Sequence, residues 1–150
     1  MAIRRICVDE VTTLSTTFSE TITCANPAFT PVGPGKVCNA VLYNVGVNLD
    51  STPMTLSFSF DAQFEYEYEH EGSIFRDYCN SVGNSGFIAL PGGTTLCPGA
   101  TAPEVKSSVS CDPENITTTP TLVSGVVNMA FTITNLCTSA IICVNDSPCP

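Results

Sequence analysis

Met-Thr-Leu-Ser-Phe-Ser-Phe-Asp-Ala-Gln-Phe-Glu-Tyr-Glu-Tyr-Glu-His-Glu, residues 54–71, is the stretch whose reading decides the fold class. Every even position from Met54 to Tyr68 is apolar or aromatic and every odd position is polar. A period of two marks a strand with one face on a core and one in water. At 100° per residue a helix would scatter Leu56, Phe58, Phe60, Phe64 and Tyr66 around its axis, so the stretch is β. Fully extended it would span roughly 60 Å, whereas a compact domain of this length is only about 40 Å across. The strand must therefore bend, bulge, change sheets or project. Asp61-Ala62-Gln63, where a small residue interrupts the aromatic face, is the expected place.

Similar alternation recurs outward from this centre. On the N-terminal side, Leu14, Phe18, Ile22 and Cys24 alternate with Ser and Thr. Residues 25–36 hold three prolines and two glycines and read as a loop. A second strand follows, with Val37, Val41, Tyr43, Val45, Val47 and Leu49 expected on one face. On the C-terminal side, Ser73 to Tyr78 reads as a short edge segment, Val82-Gly83-Asn84-Ser85-Gly86 as a turn, and Phe87 to Leu90 as a short strand. Val105 to Cys111 alternates again, Asp112-Pro113-Glu114-Asn115 turns the chain, and Val123, Val127, Met129, Phe131 and Ile133 share one side of the last clear strand. No helical stretch of ten residues occurs, and the 19 threonines suit a half-buried pleated surface. The pattern predicts an all-β fold: an antiparallel β-sandwich or jelly roll of seven or eight strands at residues 13–150, preceded by an extended N-terminal arm at residues 1–12.

Charge narrows the function. A formal net charge of −9 with only five cations, Arg4, Arg5, Lys36, Arg76 and Lys106, argues against nucleic acid and anionic lipid as partners. The longest apolar run, Ala140 to Val144, is far too short for a membrane-spanning helix. Glu65, Glu67, Glu69 and Glu71 line one strand face, but residues two apart on a strand lie about 6.6 Å apart, too far for all four to converge on one cation. They read as a solvated acidic face that resists edge pairing. His70, the sole histidine, reads as a surface residue at a strand tip; a Cys–His nucleophile pair needs a cysteine beside it. There is no second histidine or tight Cys-x-x-Cys pair for zinc, no nucleophile elbow, and no phosphate or dinucleotide loop. No catalytic residue, metal or cofactor is assigned, and the chain reads as a non-enzyme. Asn115-Ile116-Thr117 and Asn145-Asp146-Ser147 match the glycosylation sequon, which matters only in a secreted eukaryotic chain.

The nine cysteines, at positions 7, 24, 38, 79, 97, 111, 137, 143 and 149, imply an oxidising final environment. Yet Met-Ala-Ile-Arg-Arg-Ile-Cys-Val-Asp-Glu lacks an apolar signal core, so either an upstream signal was removed or the chain is made in the cytosol and oxidised later, in an assembly. The count is odd, so at least one cysteine has no partner within its own chain. Cys7, outside the strand pattern, either ties the arm to its own domain, stays a free thiol, or crosses to a neighbouring subunit. An arm laid on a neighbour's sheet gains backbone hydrogen bonds, and head-to-tail contacts of this kind produce rings or fibres.

A cysteine-rich, Thr- and Val-rich β chain with a short Ile6-Cys7-Val8 arm resembles the endospore appendage subunits of spore-forming bacteria and, more loosely, cysteine-rich exosporium and spore-coat proteins. That family has an N-terminal connector, in which an aliphatic residue precedes one or two cysteines, and then a jelly-roll domain. Here there is one cysteine. The resemblance implies that Cys7 bonds to cysteines on strands of preceding subunits, with Cys24, Cys137 and Cys143 as receivers. Cys38, Cys79, Cys97, Cys111 and Cys149 remain as further disulfide candidates. It implies a helical or stacked homopolymer made in the mother-cell cytosol and ending on the spore surface, with a coat or exosporium protein as anchor. A secreted disulfide-rich binding module and a viral capsid or fibre protein are the alternative expectations.

Overall fold

The computed structural model describes residues 4–25, 30–33, 37–100 and 102–144, and for 4–10 and 139–144 the backbone alone. Among the described residues nine antiparallel strands form: β1 (Arg4–Ala25), β2 (Thr30–Pro31), β3 (Val37–Asn48), β4 (Thr55–His70), β5 (Ser73–Ala89), β6 (Thr94–Leu96), β7 (Glu104–Cys111), β8 (Thr117–Thr118) and β9 (Leu122–Val144). One sheet centres on β9, with β1 along one side and β8, β7 and β6 in succession along the other. The second centres on β4, between β5 and the pair β2 and β3. The two sheets pack into the expected sandwich. Pro113–Asn115, expected to turn the chain, is a single 3-10 turn capped by the Asp112 carboxylate, which accepts from the Glu114 N–H at 2.9 Å.

The alternating stretch of residues 54–71 supplies half the core. Leu56, Phe58, Phe60 and Phe64 are at most 2% exposed, and they face Val123, Val127, Met129, Phe131 and Ile133 from β9. The Phe58 ring lies 4.9 Å from that of Phe131 and 5.1 Å, edge-on, from that of Phe18. Full burial of such side chains contributes about 1.5–3 kcal/mol each.

Two expectations about the strands are corrected. The first concerns β3, which does not keep one face throughout. Asn44 takes a left-handed conformation (φ 52°) and the ladder to β4 shifts between Tyr43 and Gly46. The extra residue reverses the side-chain phase: Val37 and Val41 are exposed, Cys38, Ala40 and Leu42 pack inward, and beyond the bulge Val45 and Val47 join the core.

Secondly, Val82 to Gly86 is no turn. It lies within β5, a single strand that merges the two short segments expected on either side. The ladder between β4 and β5 shifts between Phe60 and Ala62, where the sequence predicted a bend. Gly83 (φ 69°) forms the bulge, and its N–H donates to Asp61 Oδ1 at 2.8 Å. The Tyr43 hydroxyl donates to the same oxygen at 2.9 Å. One carboxylate thus joins three strands on the outer face. Gly86 answers a different need, since a Cβ there would sit 2.6 Å from the Phe58 ring.

The hydrogen bond to Asp61 holds the Tyr43 phenol above its ordinary pKa of 10.0. A raised phenol pKa means stability fully present below pH 10 and lost as pH rises through the folded value. We expect the phenolate absorbance of Tyr43 to titrate above that of a free tyrosine, and Asp61→Asn to bring it down. An unchanged titration in the variant rules out the assignment.

The arm expected at residues 1–12 is described from residue 4 onward. Residues 4–12 belong to β1 and pair with residues 136–144 of β9, Cys7 opposite Ile141 and Arg5 opposite Cys143. What lies at the boundary is a bulge: the register shifts between Thr12 and Leu14, with Asn135 left-handed (φ 64°) on the partner strand. The arm is one half of a two-stranded ribbon continuous with its own sheet.

Candidate assembly surfaces

Among the described side chains, six cysteines pair within the chain. Cys24 of β1 bonds Cys79 of β5, and Cys38 of β3 bonds Cys111 of β7. These bonds stitch the two sheets together at opposite flanks, because β1 and β5 are the edge strands on one side and β3 and β7 those on the other. Cys97, just after β6, bonds Cys137 of β9. Cys24 and Cys137 are therefore not open receivers for a neighbour's Cys7: a sulfur already in one disulfide has no valence for a second. Of the further candidates, Cys38, Cys79, Cys97 and Cys111 are placed in these internal bonds. Cys149 and Asn145-Asp146-Ser147 lie outside the described residues, as do the first three residues of the arm. Nine cysteines less these six leave Cys7, Cys143 and Cys149, still an odd number, all near the chain ends.

The free edge of β1 is the feature that sequence reading missed. β1 pairs with β9 along one side only, and among the described residues no strand pairs with its other side. From Val11 to Ala25 it contains no proline, glycine or lysine, and Glu20 is its only charge. Val11 is 79% exposed. The other edges carry the usual protection against pairing: β5 has the Gly83 bulge and Arg76, β3 has the Asn44 bulge, and β7 is short and bears Lys106. An unprotected edge of fifteen residues offers a row of backbone donors and acceptors to another strand.

The acidic face is partly neutralised from within. Arg76 Nη1 lies 3.3 Å from Glu65 Oε1, and its Nε lies 3.5 Å from Glu67 Oε1, so a guanidinium occupies the gap between the two carboxylates. Glu71 is not on the strand at all; with Gly72 it forms the two-residue turn joining β4 to β5, both at positive φ (52° and 79°), as tight hairpins require. Among the described residues no group of three or more His, Cys, Asp or Glu could hold a metal ion. His70 lies at this tip, 3.8 Å from Glu71 and with its ring 6.5 Å from that of Phe75. The six cysteines with described side chains are all oxidised, so none of them offers it a thiolate partner.

At the opposite end of the sandwich is a cavity of about 550 Å³, lined by Leu49, Pro53, Met54, Pro91 and Leu96 among others. It is mostly apolar and open to solvent. One wall is β6, which pairs with residues 136–138 at the root of the terminal ribbon.

No protein-family model matches this chain, and no curated protein or solved structure is significantly similar to it. Three internal disulfides suit an oxidising, extracellular environment. Among the described residues no helix is long and apolar enough to cross a membrane.

Proposed function

We propose that this protein is a structural, self-assembling subunit of a disulfide-cross-linked fibre or coat layer on bacterial endospores. The observation that carries the reading is the unprotected edge of β1, continuous with a ribbon that bears Cys7 and Cys143. Strand addition along that edge aligns copies through backbone hydrogen bonds. The odd cysteine then makes the contact covalent, Cys7 of one copy bonding Cys143 or Cys149 of the next. A covalent contact no longer dissociates by mass action. The internal disulfides act separately, holding each subunit folded. The role is passive and needs no cofactor or catalytic group. Assignment to the spore surface rests on the resemblance of Ile6-Cys7-Val8 and the domain behind it to the appendage connector.

Oxidised protein boiled in detergent should run as a ladder, or fail to enter the gel, and collapse to the 15.8 kDa monomer only with thiol. Cys7→Ser should shorten the ladder, and negative-stain images of native material should show polymers. A single monomer band with and without thiol, and no polymer in the images, refutes the proposal and favours a solitary binding module.

A further inference from the structure

Strand addition between copies needs an open edge on both partners. Among the described residues every edge but one is interrupted or short: β5 bulges at Gly83, β3 bulges at Asn44, β7 carries Lys106, and β2, β6 and β8 hold two or three residues each. β1 differs. From Leu14 to Ala25 its ladder with β9 runs without a register shift, so the opposite edge of the same strand is regular as well. The edge that fits β1 of one copy is therefore β1 of a second.

The side chains of this strand are complementary to themselves in one register. Leu14, Thr16, Phe18, Glu20 and Ile22 form its inner row, and Ser15, Thr17, Ser19 and Thr21 its exposed outer row. Leu14 and Phe18 pack against the core yet are only partly buried, with no strand beside them on the open side. An antiparallel copy must meet β1 inner row to inner row, because a slip of one residue sets inner side chains beside outer ones. The register centred on Phe18 sets Phe18 opposite Phe18, Leu14 opposite Ile22, and the Glu20 carboxylate opposite the Thr16 hydroxyl. On the outer row it pairs hydroxyls alone, Ser15 with Thr21 and Thr17 with Ser19. Aromatic pairs and Thr–Ser pairs across a ladder are favourable. A slip of two residues either way sets Glu20 opposite Leu14 or Phe18, and centring on Glu20 sets two carboxylates face to face.

We infer that two copies pair through β1 as an antiparallel, two-fold symmetric dimer centred on Phe18, the sheet of one continuing into the sheet of the other. Such a contact uses the same surface on both sides and closes on itself, so it does not grow alone. The two β1 strands run in opposite directions, and the terminal ribbons therefore leave the pair at opposite ends. In this register residues 4–10 of each copy lie beyond Ala25, the last residue of the partner's strand. Cys7 is thus kept for the next pair. The inference rests on the self-assembly reading above and deepens it: the edge supplies the pair, and the terminal cysteines join pair to pair.

Cysteine cross-linking tests the pairing and its register together. Two variants are made in a Cys7→Ser, Cys143→Ser, Cys149→Ser background, where no terminal disulfide can form. One carries Thr17→Cys and the other Ser19→Cys, both at exposed positions on the outer row. Only the register centred on Phe18 sets residue 17 directly opposite residue 19, the separation a cross-strand disulfide needs. Oxidised as an equal mixture, the two should give a thiol-sensitive dimer at least about fivefold more abundant than either gives alone. As much dimer from one variant alone as from the mixture overturns the register, and monomer in all three samples overturns the pairing. If the new thiol disturbs the internal disulfides, Ser15→Cys with Thr21→Cys, the neighbouring pair on the same row, takes its place with the same outcomes. The disulfide ladder of the wild-type protein is read separately. A ladder without the mixed dimer defeats the two-fold pairing alone, and absence of the ladder defeats the self-assembly reading.

Discussion

Replacing Cys24 and Cys79 by serine, or Cys38 and Cys111, should each lower the folding free energy by about 4 kcal/mol and the melting temperature by roughly 10 °C. The bonds close chain separations of 55 and 73 residues, and the entropy of the open chain grows with the logarithm of that length. Set against the roughly 5–15 kcal/mol of a typical domain, either loss is large. Both bonds cross between sheets at a flank where backbone pairing cannot help, because the strands they join belong to different sheets. The loops overlap in sequence, so the quadruple variant should lose less than the sum. Thermal melts of the two double variants and the quadruple variant, far from any polymer-forming concentration, give the comparison. A loss under about 1 kcal/mol for both pairs would mean that the flanks are held by packing instead.

This bears on the proposed assembly, in which the same chain would use sulfur in two ways. If the flank bonds were slow to form, Cys24 and Cys79 would be exposed to attack by a neighbour's terminal thiolate during folding. Cys79 is 1% exposed in the folded chain, and its bond to Cys24 lies at the edge of the core. On the proposed reading, closing the flanks first would leave only the terminal cysteines for partners, so that subunits would fold, oxidise internally, and then polymerise.

How far the sequence could be read depended on whether its hydrophobic phase was continuous. Residues 54–68 keep an unbroken period of two and residues 123–133 a nearly unbroken one, interrupted at Gly125 and Val126, and both were legible as core strands: every inward position from Leu56 to Tyr66 is buried. In β3 the apolar residues changed face at Asn44, and nothing in a run of valines reveals a bulge, since Val is acceptable on either side of a sheet. Glycines misled for a related reason. Gly83 and Gly86 resemble a turn by composition, yet one serves a bulge bracketed by Asp61 and the other the close approach of Phe58, both of which depend on residues over twenty positions away. The odd cysteine count was legible at once, but the pairing was not, because connectivity follows from which strands become neighbouring edges. The open edge of β1 was visible only as a Ser- and Thr-rich run with a single charge and no prolines, and it acquired meaning once β9 was seen to occupy its other side.

Gly125→Ala should cost about 3 kcal/mol, more than most single-methyl additions, and the loss should nearly vanish when Phe64 is shortened to leucine. Gly125 sits on β9 opposite Ile22, and a Cβ at this position would lie 2.8 Å from two carbons of the Phe64 ring. Atoms that close must move apart, and the ring has nowhere to go. Phe64 is fully buried, faces Cys79 across the β4–β5 ladder, and is hemmed along its own strand by Ala62 and Tyr66, at most 4% exposed. Cys79 in turn is fixed to Cys24. The methyl therefore pushes the two sheets apart at the root of the β4–β5 hairpin, where overpacking costs at the upper end of its usual range of about 1–3 kcal/mol. Phe64→Leu alone should lose a further amount through the cavity it leaves, but it also vacates the space the new methyl needs. Chemical denaturation of the wild type, both single variants and the double variant forms a cycle whose coupling term isolates this one contact. Coupling close to the whole cost of Gly125→Ala places the effect in the ring contact; additive losses would place it in the backbone of β9.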